Sequence, residues 1–137
     1  MKNILVVDDD PEALDFATFV LAPRHEVRTV ASVGQCRAEL QTRKPDLILL
    51  DAMISDLGDG LELTKELKAH PDTHAIPVVM ITNVNRVYDY REEIDASYFP
   101  HDRWLDKPVK ANVLLKTVEE LLARDNAPDE LPPRRRP

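Results

Sequence analysis

Short apolar runs alternate along this chain with stretches whose apolar side chains recur every three or four positions. Ile4-Leu5-Val6-Val7 is the first run, and it stops at Asp8-Asp9-Asp10. Pro11 suits the first turn of a helix and the Asp before it suits the cap. Ala13, Phe16, Ala17, Val20 and Leu21 then fall at helical spacing until Pro23. Glu26 to Val30 predicts a second strand, less apolar and so placed near a sheet edge. Ser32 caps a second helix with Val33, Cys36 and Leu40 on one face. Leu47-Ile48-Leu49-Leu50 shows no alternation, as expected of a strand covered on both faces, and ends at Asp51. A loop with Gly58 and Gly60 then leads to a helix carrying Leu61, Leu63, Thr64 and Leu67, closed by His70-Pro71. Ile76 to Ile81 is the fourth strand and ends at Thr82. Tyr88 to Ala96 predicts a helix with a thin apolar face. Trp104-Leu105 is a very short fifth strand before Lys107-Pro108. Leu114, Leu115, Val118, Leu121 and Leu122 mark a last helix from Ala111 to Arg124.

Five strands alternating with helices imply an α/β fold, a doubly wound parallel sheet with right-handed crossovers and helices on both faces. Residues 1–124 form one domain on this reading. From Asn126 the composition turns to Pro, Arg and acid, so 125–137 is expected to be a disordered tail. A chain of 137 residues with 43% hydrophobic and 31% charged residues has the balance of a globular protein. Its formal net charge of -7 opposes broad nucleic-acid or anionic-membrane binding. No apolar run approaches the ~18 residues of a membrane span. The apolar strand begins too near Met1 to leave room for a signal peptide. A single cysteine, Cys36, excludes an internal disulfide framework and points to a reducing cytoplasm. Three glycines, at 34, 58 and 60, do not make a nucleotide-binding phosphate loop.

In an open parallel sheet, ligands bind beyond the carboxyl ends of the strands. Asp8 and Asp9 follow the first strand, Asp51 the third, Thr82 the fourth and Lys107 the fifth. Three carboxylates resist ionising together without a cation, and one lysine does not balance them. A hard divalent ion such as Mg²⁺ does, using carboxylates, waters and phosphate oxygens. The hydroxyl and the ammonium can receive phosphoryl oxygens, so the set suits phosphoryl chemistry with an Asp as nucleophile. Cys36 reads as packing. His70 and His74 are separated by the helix break at Pro71 and lack a third ligand, which speaks against zinc. His25 and His101 are expected at the surface. Arg134-Arg135-Arg136 reads as a solvated end.

From residue 2 to 124 the chain resembles the response-regulator receiver domain of two-component signalling. Ile4 to Asp10, Leu47 to Asp51, Val79-Met80-Ile81-Thr82 and Trp104 to Pro108 carry the likeness. The resemblance implies a flavodoxin-like fold with strand order 2-1-3-4-5 and a typically cis Lys107-Pro108 bond. It makes Asp51 the phosphoacceptor for a phosphohistidine on a sensor histidine kinase or phosphotransfer protein. Asp9, Asp51 and the Met53 carbonyl would bind Mg²⁺ directly, with Asp8 acting through water. Lys107 would hold a phosphoryl oxygen. Thr82 would move toward it and let Trp104 turn inward. Met53 and Val84 stand where phosphoryl lifetime is tuned in the family. Neither hydrogen-bonds a water well, so slow self-dephosphorylation follows. The signal would pass through the face made by the family's fourth helix, fifth strand and last helix to an unidentified protein target. No DNA-binding segment follows, so a stand-alone receiver is expected.

The chain departs from the family pattern after Asp51, where Ile54-Ser55 replaces Met-Pro and Asp59-Gly60 arrives one residue late. Gly60 would still turn the chain into the helix. Asn83 is larger than the usual small residue, and 95–103 is longer and bulkier than the usual Gly-Ala approach to the fifth strand. The altered 54–59 loop and Asn83 keep open a phosphorylation-independent binding module of the same fold. Asp8 and Asp10 flanking one residue also admit an aspartate-nucleophile phosphatase with Asp8 phosphorylated. Glu12, however, stands where that family has Thr or Val. Partner identity and oligomeric state are not written in these motifs.

Overall fold

The computed structural model describes residues 1–51, 54, 57–83 and 103–125, and of residues 57, 58, 82, 83 and 125 the backbone alone. The elements run β1 (Lys2–Val7), α1 (Pro11–Leu21), β2 (His25–Val30), α2 (Val33–Thr42), β3 (Leu47–Asp51), α3 (Leu57–Ala69), β4 (Val78–Asn83), β5 (Arg103–Lys107) and α4 (Ala111–Asp125). The strands form one parallel sheet in the order β2-β1-β3-β4-β5. The helix expected over Tyr88–Ala96 and the tail beyond Asp125 lie outside the described residues.

The pleat explains why the central strands are apolar throughout. Leu5, Val7, Ile48, Leu50, Val78 and Met80 point to the face covered by α2 and α3. Ile4, Val6, Leu47, Leu49 and Val79 point to the face covered by α1 and α4. Successive side chains alternate between faces, so a strand buried on both sides shows no alternation in sequence. β2 lies at an edge and carries exposed Glu26 and Thr29, as its weaker apolar character predicts.

Helix starts follow capping chemistry. Asp10 Oδ1 accepts the Glu12 N–H at 3.0 Å, with Pro11 in the first turn. Ser32 Oγ accepts the Gln35 N–H at 3.0 Å, and Gln35 Oε1 reaches back to the Ala31 N–H at 2.7 Å. Helix α4 buries Leu114, Val118, Leu121 and Leu122 as its stripe predicts.

Four sequence expectations are corrected. Gly58 and Gly60 do not form a loop before α3, because the helix begins at Leu57. Gly60 is buried within the first turn, its carbonyl accepting the Thr64 hydroxyl at 3.0 Å, and no described glycine has positive φ. Strand β5 spans five residues rather than two, because Arg103 to Lys107 all pair with Val79 to Asn83. Phe16 is not in the core but 38% exposed, leaving Ala17 and Leu21 as the fully buried residues of α1. His25 is 7% exposed, not a surface residue: its Nε2 lies 2.8 Å from Glu119 Oε2 on α4.

Candidate functional site

The carboxyl ends of β1, β3 and β5 bring Asp8, Asp9, Asp51 and Lys107 together. Asp8 is fixed from three sides. Its N–H donates to the Val30 carbonyl at 3.1 Å, its Oδ1 accepts the Asp10 N–H at 3.0 Å, and its Oδ2 accepts Lys107 Nζ at 3.3 Å. Asp51 ends β3 and is 7% exposed, with Oδ2 3.9 Å from Lys107 Nζ. Asp9 is exposed, and one carboxylate oxygen from each of Asp8, Asp9 and Asp51 lies within 4.8 Å of the others. Lys107 is half-buried at the end of β5 and is followed by a cis bond to Pro108.

The backbone of Thr82 belongs to the same end of the sheet. Its neighbour Ile81 pairs with Asp51, and Thr82 itself pairs with Asp106, one residue before Lys107. Trp104 pairs with Met80, packs half-buried against the core beside α2 and α3, and donates from Nε1 to Asp106 Oδ1 at 3.2 Å. Met53, Val84 and His101 lie outside the described residues. Of the altered loop, Ile54 is fully buried and its N–H donates to the Asp51 carbonyl at 3.2 Å, which ties the loop back to the site.

Three ionised carboxylates this close repel one another by about 1 kcal/mol per pair even in water. The ammonium of Lys107 offsets part of that. The donor set is all oxygen, the chemistry of a hard divalent cation. His70 and His74 belong to no such metal-ligand group among the described residues. Cys36 is fully buried on α2, where desolvation pushes its thiol up to about 11, so it packs rather than reacts.

One feature of the site has no motif in the sequence. A cavity of about 480 Å³ opens beside the acidic cluster. Its walls are apolar, including Ala13 and Phe16 of α1 and Leu114 of α4, while Asp8, Asp10, Glu12 and Asp51 supply acid and Lys107 a cation. Periodicity assigns Phe16 to the buried stripe of α1, so the sequence pattern carries no sign that it lines this cavity.

A parallel 2-1-3-4-5 sheet with acids after β1 and β3 and a lysine after β5 defines the receiver class of α/β signalling domains. The response regulator receiver domain model matches residues 4–119, and the chain belongs to that family. It is 32% identical to protein PilH of Pseudomonas aeruginosa over 124 residues, covering 90% of this chain and 99% of PilH. It is also 32% identical to regulatory protein VanRB of Enterococcus faecalis, covering 93% of this chain but 54% of that protein. The signal receiver domain of a signal transduction histidine kinase from Syntrophus aciditrophicus superposes with a TM-score of 0.81 at 26% identity, covering 96% of this chain and 98% of that one. Receiver domains are phosphorylated by histidine kinases or phosphotransfer proteins, and two-component signalling is the setting of this chain. No described helix is long and apolar enough to cross a membrane.

Proposed function

We propose that this receiver accepts a phosphoryl group on Asp51 from a phosphohistidine on a sensor histidine kinase or phosphotransfer protein. The convergence of Asp8, Asp9, Asp51 and Lys107 at one end of the sheet carries the reading. Asp51 Oδ attacks phosphorus as the bond to the imidazole nitrogen breaks, and the imidazole leaves with its electron pair. Lys107, within reach of Asp51, receives charge on a phosphoryl oxygen. Asp8 holds Lys107 in place with Oδ2 while its Oδ1 is engaged by the Asp10 amide, a poor arrangement for the alternative nucleophile. Asp8, Asp9 and Asp51 suit Mg²⁺, with the Met53 carbonyl a further ligand and Asp8 acting through water. The ion would neutralise the clustered carboxylates and the incoming phosphoryl oxygens.

Thr82 and Trp104 form the switch on this reading. The hydroxyl engages the phosphoryl group and the indole turns toward the space it vacates. The face around β5 and α4 then changes for a downstream protein. The protein is a phosphoacceptor rather than an enzyme for a separate substrate, and a cytoplasmic setting belongs to the same proposal. A receiver-like module that binds without phosphorylation is the competing reading.

Intact mass after incubation with acetyl phosphate and Mg²⁺ decides between them. One phosphoryl adduct, Mg²⁺-dependent and absent in Asp51→Asn, is the expected result. No adduct would leave the binding module, and an adduct surviving in Asp51→Asn would move the acceptor to Asp8. Met53 and Val84 supply no good hydrogen bond to an attacking water, so the acyl phosphate should be long-lived. Met53→Asn with Val84→Glu should shorten its half-life severalfold in a time course of adduct loss. A half-life unchanged or lengthened would remove these residues from the account.

A further inference from the structure

The cavity beside the acidic cluster combines an apolar wall with an acidic mouth. Ala13, Phe16, Val109 and Leu114 are among its walls, Asp10 and Glu12 stand at α1's first turn, and Lys107 lies deeper, against Asp8 and Asp51, leaving Asp10 and Glu12 as the acids at the α1 side. Phe19, one turn beyond Phe16, is 81% exposed, and Val113 beside Leu114 is 40% exposed. An occupant matched to this surface has an apolar side chain followed by clustered cations. The chain holds such a segment in Leu131-Pro132-Pro133-Arg134-Arg135-Arg136.

The reach agrees. Helix α4 begins beside the cavity, and its 15 residues rise about 22 Å to Asp125. Six extended residues beyond Asp125 cover about 19 Å, enough to return Leu131 to the level of Val113. Nine cover about 28 Å, which carries Arg134 past the start of α4 toward Asp10 and Glu12. Two prolines lower the ordering cost of such a return. Tethering holds the arginines at a millimolar effective concentration, where an individually weak contact is populated.

We propose that the Leu131–Arg136 segment folds back along α4 and docks on this cavity, with Leu131 against Phe16 and Val113 and the arginines over Asp10, Glu12 and the Asp8/Asp9/Asp51 cluster. The docked guanidinium groups compete with a divalent cation for the same carboxylates. Metal binding and phosphorylation would then release the segment. The docking rests on cavity shape and charge and stands or falls separately from phosphoryl transfer, while release by phosphorylation rests on the function proposed above.

The test uses the metal-free 137-residue chain carrying a nitroxide on Pro137→Cys, since Cys36 is fully buried. Isotope-labelled, spin-labelled chain is diluted into unlabelled, unmodified chain, so only effects within one molecule register. The amides of Ala13, Phe16 and Val109 should lose at least half their intensity. They should recover when Arg134, Arg135 and Arg136 are changed to Gln, or when Mg²⁺ saturates the site. The Mg²⁺ midpoint should be about two- to fivefold lower in the triple-Gln chain. Absence of broadening at these amides, or broadening unaffected by the triple change, would overturn the proposal. So would broadening that appears only when the label sits on a different copy. If acetyl phosphate failed to label Asp51 while the broadening remained, the proposed function would fail and the docking would stand.

Discussion

At the amino-terminal end of the sheet, charges are spent in pairs; at the carboxyl-terminal end, like charges are gathered. Arg28 on β2 donates from Nε to Asn3 Oδ1 at 3.2 Å, from one Nη to Glu39 on α2 and from the other to the Arg43 carbonyl at 2.9 Å. Arg43 makes a two-pronged bridge to Glu26 at 2.8 Å. The Asp46 N–H donates to the Asn3 carbonyl at 2.7 Å and the Asn3 N–H donates to Asp46 Oδ2 at 2.7 Å, which locks the entry to β3 beside β1. His25 and Arg24 both meet Glu119. At the other end Asp8, Asp9 and Asp51 each bring a carboxylate oxygen within 4.8 Å of the others, with Lys107 against Asp8 and Asp51. Complementary pairing serves the fold. An accumulation of one sign opposes the fold and is retained where a ligand of the other sign completes it.

The comparison breaks first at Arg28. Arg28→Ala should destabilise the protein by about 2 kcal/mol, because Asn3 Oδ1, Glu39 and the Arg43 carbonyl lose a partner in a half-buried setting. A fall in the urea midpoint without a change in slope is the expected signature. A loss below about 0.5 kcal/mol would make this network ordinary surface charge. Asp9→Asn probes the opposite end with the opposite sign. Removing one of three crowded carboxylates should stabilise the metal-free protein by about 1 kcal/mol. Saturating Mg²⁺ should cancel or reverse that gain, since the wild type then holds the better ligand set. If Asp9→Asn destabilises metal-free protein instead, the gathered charge is not a source of strain.

These two ends were not equally legible in the sequence. The acidic end is written locally: each of Asp8, Asp51, Thr82 and Lys107 follows a strand-like run, and strand ends in a parallel sheet converge whatever their separation along the chain. The structural end depends on pairings that no window reveals. His25 is buried because Glu119, 94 residues away, packs over it. Arg28 has its role because Asn3, Glu39 and Arg43 come from three other segments. The length of β5 depends on its ladder with β4, since Arg103, Asp106 and Lys107 are not strand formers by composition. Gly60 follows the same logic. Glycine signals a turn when read alone, yet packing of the first turn of α3 buries this one inside a helix.

The smallest effect belongs to a pair that lies at neither end. Arg37 on α2 reaches Glu66 on α3 with Nη2 at 2.8 Å and Nε at 3.1 and 3.2 Å, and both side chains are about half exposed. The hydrogen bonds from Arg37 hold the Glu66 carboxyl below its ordinary value of 4.5, and those same bonds raise the guanidinium. A carboxyl lowered in the folded state adds stability above its unfolded pKa, and that stability is lost as pH falls through the lowered folded value. The sensitive window is therefore below about pH 4.5. Solvent exposure limits the gain to at most about 0.5 kcal/mol. Glu66→Gln should cost that much at pH 7 and less at pH 3, when stability is compared with wild type at each pH. Added salt should shrink the difference at pH 7 as well. An equal cost at both pH values would mean that Glu66 acts by packing between α2 and α3, and the pairing of charge as a stabilising device would then be confined to the amino-terminal end of the sheet.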